Sequence, residues 1–224
     1  MSLSDDLAAQ GYFEQPAIVP PPLIERARRD VEAHTEAVDA FLDDAMWEIL
    51  DAVLPSAREA LGHDVEILPA VWAWRVAPGE QGWGPHRDGP DRTRNDIGEL
   101  VGLTIWVPLT DATTRNGCIH CVPAYWDWGY QSPKGGNVVS HQQYIRAIPT
   151  PTGSILGWTH GLLHWGGACA PGEPPRISTS FEVIRSDFAA TVPRTYPAGW
   201  RPDRAERVAL IAEMRVKYAH MLAD

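Results

Sequence analysis

The strongest constraint on the fold is a run of period two. Val101, Leu103, Ile105, Val107 and Leu109 alternate with Gly102, Thr104, Trp106, Pro108 and Thr110. Alternation of this length sets the two groups on opposite faces of a β-strand. Further strands are expected from Val65, at Val71 to Val76, Cys118 to Val122, Ser154 to Trp158 and Ile177 to Ile184, where β-branched and aromatic residues are enriched. Twenty Pro and nineteen Gly provide the turns that many short strands need.

Helical spacing brackets this middle. Leu23, Ile24, Ala27 and Val31, then Val38, Phe41, Leu42, Ala45, Ile49 and Val53, recur at the period of an amphipathic helix. Pro55 is expected to stop that helix, and Ser56-Ala57-Arg58-Glu59 to cap a short one that Gly62 ends. Residues 1–22 read as an arm ending in the stiff Pro20-Pro21-Pro22. The expectation is one domain over residues 1–224, helical over 23–62, with a β core over about 65–184 and a closing helix over about 204–222. That order describes a mainly β fold, a sandwich or barrel buttressed by helices.

Composition narrows the partners. With 44% hydrophobic and 21% charged residues the chain has an ordinary globular make-up. A formal net charge of −10 repels phosphate backbones and anionic lipid, so neither nucleic acid nor a membrane is expected as partner. No apolar run approaches the ~20 residues of a membrane span, and the acidic start Met1-Ser2-Leu3-Ser4-Asp5-Asp6 lacks an apolar signal core. A cytoplasmic location is the simplest reading. Three Cys cannot all pair, which suits a reducing compartment. Cys118-Ile119-His120-Cys121 has zinc-like spacing, but on a strand i and i+3 point to opposite faces and no second pair completes a site. A zinc site on Cys118, Cys121 and Cys169 is the weaker alternative to three buried thiols.

The chemistry concentrates in Gly84-Pro85-His86-Arg87-Asp88-Gly89. In extended backbone His86 and Asp88 share a face and can close on one metal ion. A third ligand must come from elsewhere, and His164 and His160 both follow a strand-like segment four residues apart, so sidedness alone does not separate them. Two His and one carboxylate that leave positions open form the facial triad of non-haem Fe(II) oxygenases. Arg176 and Ser178 fall on one face of a later strand. The long loops Gly79 to Gly98 and Ala124 to Ile148 read as binding loops or lids. Trp83 in the first, and Trp126 and Trp128 in the second, are expected to line a pocket for an apolar or ring-bearing small molecule. His34, His63, His141 and His220 have no companion motif.

In these motifs the sequence resembles the phytanoyl-CoA dioxygenase-like branch of the Fe(II)/2-oxoglutarate-dependent oxygenases. The matching residues are His86-Arg87-Asp88, Leu103 through Asp111, Asn116-Gly117-Cys118, and Gly153-Ser154 leading to His164 and Arg176, with a weaker match at Gly11-Tyr12-Phe13. The resemblance implies a double-stranded β-helix, a jelly-roll or cupin-like pair of sheets. It implies Fe(II) on His86, Asp88 and His164, because the family's ligand stands just before a Gly-rich turn such as Gly166-Gly167, and it leaves His160 to the substrate pocket. It implies 2-oxoglutarate and O2 as cosubstrates, with Arg176 on the far carboxylate, assisted by Ser178 and, more weakly, Thr104. Halogenating relatives lack the carboxylate that Asp88 supplies, so oxidation of a C–H bond of a small molecule, hydroxylation first and a secondary metabolite in scope, is the implied reaction. Succinate and CO2 would be released. Desaturation, ring closure or epimerisation would use the same residues. The segment Val122-Pro123-Ala124-Tyr125-Trp126 departs from the family pattern and speaks against phytanoyl-CoA as substrate. The alternatives are a cupin-like isomerase or cosubstrate-free dioxygenase on the same triad, and a non-catalytic jelly-roll binding module.

Overall fold

The alternating run becomes the strand at the centre of the larger of two antiparallel sheets. The computed structural model describes residues 2–89, 93–130, 136–139 and 142–219. His141, His220 and the end of the expected closing helix lie outside the described residues. The strands are β1 (Tyr12–Gln15), β2 (Val65–Val76), β3 (Gly102–Pro108), β4 (Ile119–Val122), β5 (Arg146–Ile148), β6 (Ile155–Thr159), β7 (Leu163–Gly166), β8 (Arg176–Arg185) and β9 (Tyr196–Pro197). One sheet has the order β1-β6-β3-β8-β2-β9, the other β5-β4-β7. Among the described residues four α-helices flank them: α1 (Leu3–Gln10), α2 (Pro21–Ala33), α3 (Asp44–Leu61) and α4 (Arg204–Tyr218). This is the mainly β, helix-buttressed jelly-roll expected. Among the described residues no helix is long and apolar enough to cross a membrane.

Every residue of β3 is buried, so its alternation separates two interiors rather than core from solvent. Leu103, Ile105 and Val107 join the core formed with Phe41, Ile49 and Val53 of the helical layer. Trp106 faces the other way, towards Cys118, Ile119, Cys121 and Ile148 beside and within the small sheet. The helices therefore close one face of the large sheet, and the small sheet closes the other. Thr104 and Trp106 point into the space between the sheets.

Two local expectations are overturned. The N-terminal 22 residues are not a bare arm. Ser2 caps α1 in a capping box with Asp5, Gly11 at φ +82° ends it, and β1 then pairs with β6, Tyr12 opposite Trp158. The prolines begin a helix instead of barring one, since Pro21 and Pro22 occupy the first positions of α2, where the missing N–H has no partner to lose. Pro55 does not stop a helix either: α3 runs through it to Leu61. An interior proline costs roughly 3 kcal/mol. Ile49, Leu50, Val53 and Leu54 before it, and Ala57, Ala60 and Leu61 after it, are all buried, at about 1.5–3 kcal/mol for each large side chain. The continuous apolar face wins.

Candidate active site

The loop after β2 is held against β7 by its backbone. His86 N–H donates to His164 C=O at 3.0 Å and His164 N–H returns to His86 C=O at 3.1 Å, a reciprocal bridge of antiparallel type. Gly89 N–H then bonds His160 C=O. The side chains of His86, Asp88 and His164 converge as a result, one ligand atom from each lying within 4.8 Å of the others. They are the one such group of three among the described residues. His86 Nε2 stands 3.5 Å, and His164 Nε2 3.7 Å, from Asp88 Oδ1.

The surroundings fix the orientation of each donor. His86 Nδ1 faces Gly84 C=O at 2.8 Å and His164 Nδ1 faces Leu162 C=O at 3.1 Å. A ring nitrogen that donates to a carbonyl leaves Nε2 with its lone pair directed at the site. Asp88 Oδ2 accepts from Thr104 Oγ1 at 2.6 Å and from Trp158 Nε1 at 2.8 Å, which leaves Oδ1 facing the imidazoles. Burial pushes His164 down to about 4, although Asp88 pulls it the other way. Burial also opposes ionisation of Asp88, yet the charges of His164 and His86 hold its carboxyl well below the usual range. His86 is driven down by burial but ends raised, because the Asp88 carboxylate outweighs that. An ionised carboxylate between imidazole nitrogens is the donor chemistry that suits Fe(II) with open positions.

Arg176 shares the same cavity. It is 2% exposed, donates from Nη1 to Ser178 Oγ at 2.6 Å and lies over the Trp106 ring. Burial lowers it to about 10, so it is still a cation at neutral pH. Among the described residues no carboxylate forms an ion pair with it. Gly166 makes its room, since a Cβ there would lie 3.1 Å from Nη2.

The remaining sequence candidates divide. Trp83 reaches the cavity, 5.2 Å from Trp74 and 6.1 Å from His86 between ring centroids. Trp126 and Trp128 do not: they are 41% and 87% exposed, and Trp126 stacks on Tyr144. Asp127, between the two tryptophans, is held by Arg87 through both carboxylate oxygens, at 2.6 and 3.0 Å. Ser178 touches Arg176, and Thr104 lines the cavity with its hydroxyl bound to Asp88. His160 is fully buried against Gly102, where a Cβ would meet its ring at 2.7 Å, and its Nε2 is 3.8 Å from Glu182. A turn closed by Leu162 N–H to Thr159 C=O separates it from His164, so the two are not on one extended strand. Cys118, Cys121 and Cys169 are buried free thiols and form no metal cluster among the described residues. Sequence reasoning missed Trp72, Trp158, Glu182 and Tyr218, all lining the cavity. For Glu182 a signal existed: it continues the inward alternation of Arg176, Ser178 and Ser180.

Residues 22–169 match the model of the family described as phytanoyl-CoA dioxygenase (PhyH), which is well over half the chain and spans all three converging side chains. The chain belongs to the phytanoyl-CoA dioxygenase family. It is thus placed among the non-haem iron, 2-oxoglutarate-dependent enzymes, as its motifs implied. The match ends before Arg176, whose place in the cavity is independent of it. No curated protein matches the sequence significantly. Among solved structures, this family member resembles the non-heme alpha ketoglutarate dependent epimerase SnoN from nogalamycin biosynthesis, at 20% identity and TM-score 0.65 over 82% of each chain. It resembles the nickel complex of the non-heme monooxygenase ThoJ at 14% identity and TM-score 0.70 over 98% of each. HygX from Streptomyces hygroscopicus, with nickel and 2-oxoglutarate bound, aligns at 15% identity and TM-score 0.60 over 80% of this chain and 84% of its own. At such identities the likeness establishes the PhyH-type fold.

Proposed function

We propose that this protein is an Fe(II)- and 2-oxoglutarate-dependent oxygenase that hydroxylates a C–H bond of a small molecule. The observation that carries this reading is Arg176, a buried guanidinium without a carboxylate partner among the described residues, in one cavity with a His-Asp-His cluster. A buried cation is costly until a counter-ion arrives. A planar fork of donors is suited to a carboxylate, and 2-oxoglutarate brings one at the right end of a chelating keto acid. A cosubstrate-free cupin enzyme or a simple binding module gives that arginine nothing to hold. Neighbours of the same fold described as a non-heme alpha ketoglutarate dependent epimerase and a non-heme monooxygenase support this reading.

His86, Asp88 and His164 would hold the iron, and iron with 2-oxoglutarate and O2 would supply an oxidation strong enough for an unactivated C–H bond, one oxygen atom of O2 going to the substrate and the other to succinate, with CO2 released. The chain's own residues prepare for it. Thr104 and Trp158 occupy Asp88 Oδ2, which would leave Oδ1 for the metal. The carbonyls of Gly84 and Leu162 set both imidazole tautomers. Ser178 and the Trp106 face keep the Arg176 guanidinium aimed, and Trp72, Trp74, Trp83 and Trp158 give the cavity an apolar wall. Anaerobic titration of Fe(II) and then 2-oxoglutarate, followed by the visible charge-transfer band, tests the reading. Iron binding without a band removes 2-oxoglutarate from it, and absence of iron binding removes the oxygenase.

A further inference from the structure

The cavity holds an ionisable group for which iron and 2-oxoglutarate have no use. Glu182 lies on the same face of β8 as Arg176, Ser178 and Ser180, and its side chain is 6% exposed. Arg176 and Glu182 both line the cavity and stand at opposite ends of this row, roughly 20 Å apart along the strand. The strand thus offers a cation at one end and a carboxylate at the other. An anionic cosubstrate at Arg176 leaves the acidic end for the molecule that is oxidised.

The wall at that end is aromatic. The Trp83 ring centroid lies 5.5 Å from Trp72 and 5.1 Å from Tyr218, and Trp72 is 5.0 Å from Tyr218. The chain also places an ammonium of its own there. Lys217 Nζ is 3.4 Å from Glu182 Oε1 and 4.8 Å from the Tyr218 ring centroid. The carboxylate and the ring already accept an ammonium between them. Lys217 is 41% exposed and sits in the last turn of α4, so its head group can move into water while an incoming ammonium takes its place on Glu182.

We propose that the substrate carries a protonated amine, seated between Glu182 and the Trp72–Trp83–Tyr218 wall, with Lys217 displaced to solvent. The proposal rests on the oxygenase reading, because the dicarboxylate at Arg176 is what reserves the Glu182 end. An ammonium gains from the ring faces and from the carboxylate together, whereas an alcohol of the same shape gains from neither charge interaction. The net charge of −10 draws cations towards such a cleft.

Calorimetric titration of benzylamine and of benzyl alcohol tests the proposal, on the protein as purified and after anaerobic loading with Fe(II) and 2-oxoglutarate. Benzylamine is expected to bind at least about tenfold more tightly. Glu182→Gln, which keeps the shape and an acceptor for Tyr218, should erase the preference, and Trp83→Leu should reduce it. Lys217→Met should hold or improve the amine affinity. Equal affinities, no heat from benzylamine at millimolar concentration, or a preference that survives both Glu182→Gln and Trp83→Leu would overturn the amine site. The charge-transfer band is recorded on the same samples. A band without an amine preference overturns this proposal alone, and an amine preference without a band overturns the oxygenase reading while the ammonium site stands.

Discussion

Trp158 Nε1 donates to Asp88 Oδ2 across 2.8 Å, and with Thr104 on the same oxygen at 2.6 Å this settles which oxygen faces the imidazoles. Outer partners of this kind orient a ligand and typically account for 10–100-fold in metal affinity. Thr104→Val and Trp158→Phe are each expected to lower Fe(II) affinity by about that factor, measured by competition with a chromophoric chelator. Far-UV circular dichroism should be unchanged. Wild-type affinity in both variants would show that Asp88 does not depend on these bonds.

Arg176 sets binding against stability. Arg176→Met removes a buried cation and should abolish the 2-oxoglutarate band. The same change should stabilise the cosubstrate-free protein, by about 1 kcal/mol in urea unfolding. Arg176→Lys keeps the charge but loses the paired donors, and should weaken 2-oxoglutarate about tenfold or more. A destabilised Arg176→Met protein would mean that the guanidinium serves the fold.

The tryptophans of the two loops should behave differently. Trp83 packs between Trp74 and Tyr218 in the cavity, so Trp83→Ala should weaken binding of a ring-bearing ligand by about 1 kcal/mol or more. Trp128→Ala and Trp126→Ala alter exposed side chains and should leave affinity within about twofold, a surface-level change. A large loss in either would place the outer loop over the cavity in the bound state.

Stability should fall in alkali. Burial pushes the Cys121 thiol up to about 12 and the Tyr12 hydroxyl, with Cys121 nearby, also up to about 12. The unfolded chain loses these protons from about pH 8.5 and about pH 10, while the folded chain keeps them. Between those values and about 12 the native state binds more protons, so the free energy of unfolding declines as pH rises. Urea midpoints at stepped pH check this, and Cys121→Ala should flatten the first part of the decline. A flat profile above pH 9 would contradict the burial of both groups.

The parts of the site that a linear reading reached are those governed by short-range spacing. His86 and Asp88 share a side because they are two residues apart, and Arg176 and Ser178 follow the same rule. The β3 alternation was equally visible, although its meaning, one face to the helices and one to the cavity, depends on what packs on each side. Trp158 escaped because it lies opposite Thr104 through sheet register, which no local pattern encodes, whereas Glu182, opposite Thr104 on the other side, follows the alternation that begins at Arg176. Pro55 misled because local propensity is weaker than a buried face extending on both sides of it. Trp126 and Trp128 misled because Arg87, read only as a neighbour of the candidate ligands, holds Asp127 between them, a pairing that no local spacing reveals.

The choice between the two histidines gives the sharpest test. Four residues of extended chain would set His160 and His164 on one side, but the turn from Thr159 to Leu162 breaks the strand between them. His164 is carried by β7, locked to His86 by two backbone bonds, and its Nε2 faces Asp88 Oδ1. His160 is carried past the end of β6 into a slot that Gly102 leaves open, towards Glu182. His164→Ala should therefore abolish Fe(II) binding, since two remaining protein ligands do not retain a metal with open positions. His160→Ala should retain iron and the 2-oxoglutarate band. It empties a fully buried slot, so it should lower stability by about 1–3 kcal/mol, which urea unfolding reads separately from metal affinity. Loss of iron in His160→Ala at unchanged secondary structure, with retention in His164→Ala, would reverse the ligand assignment.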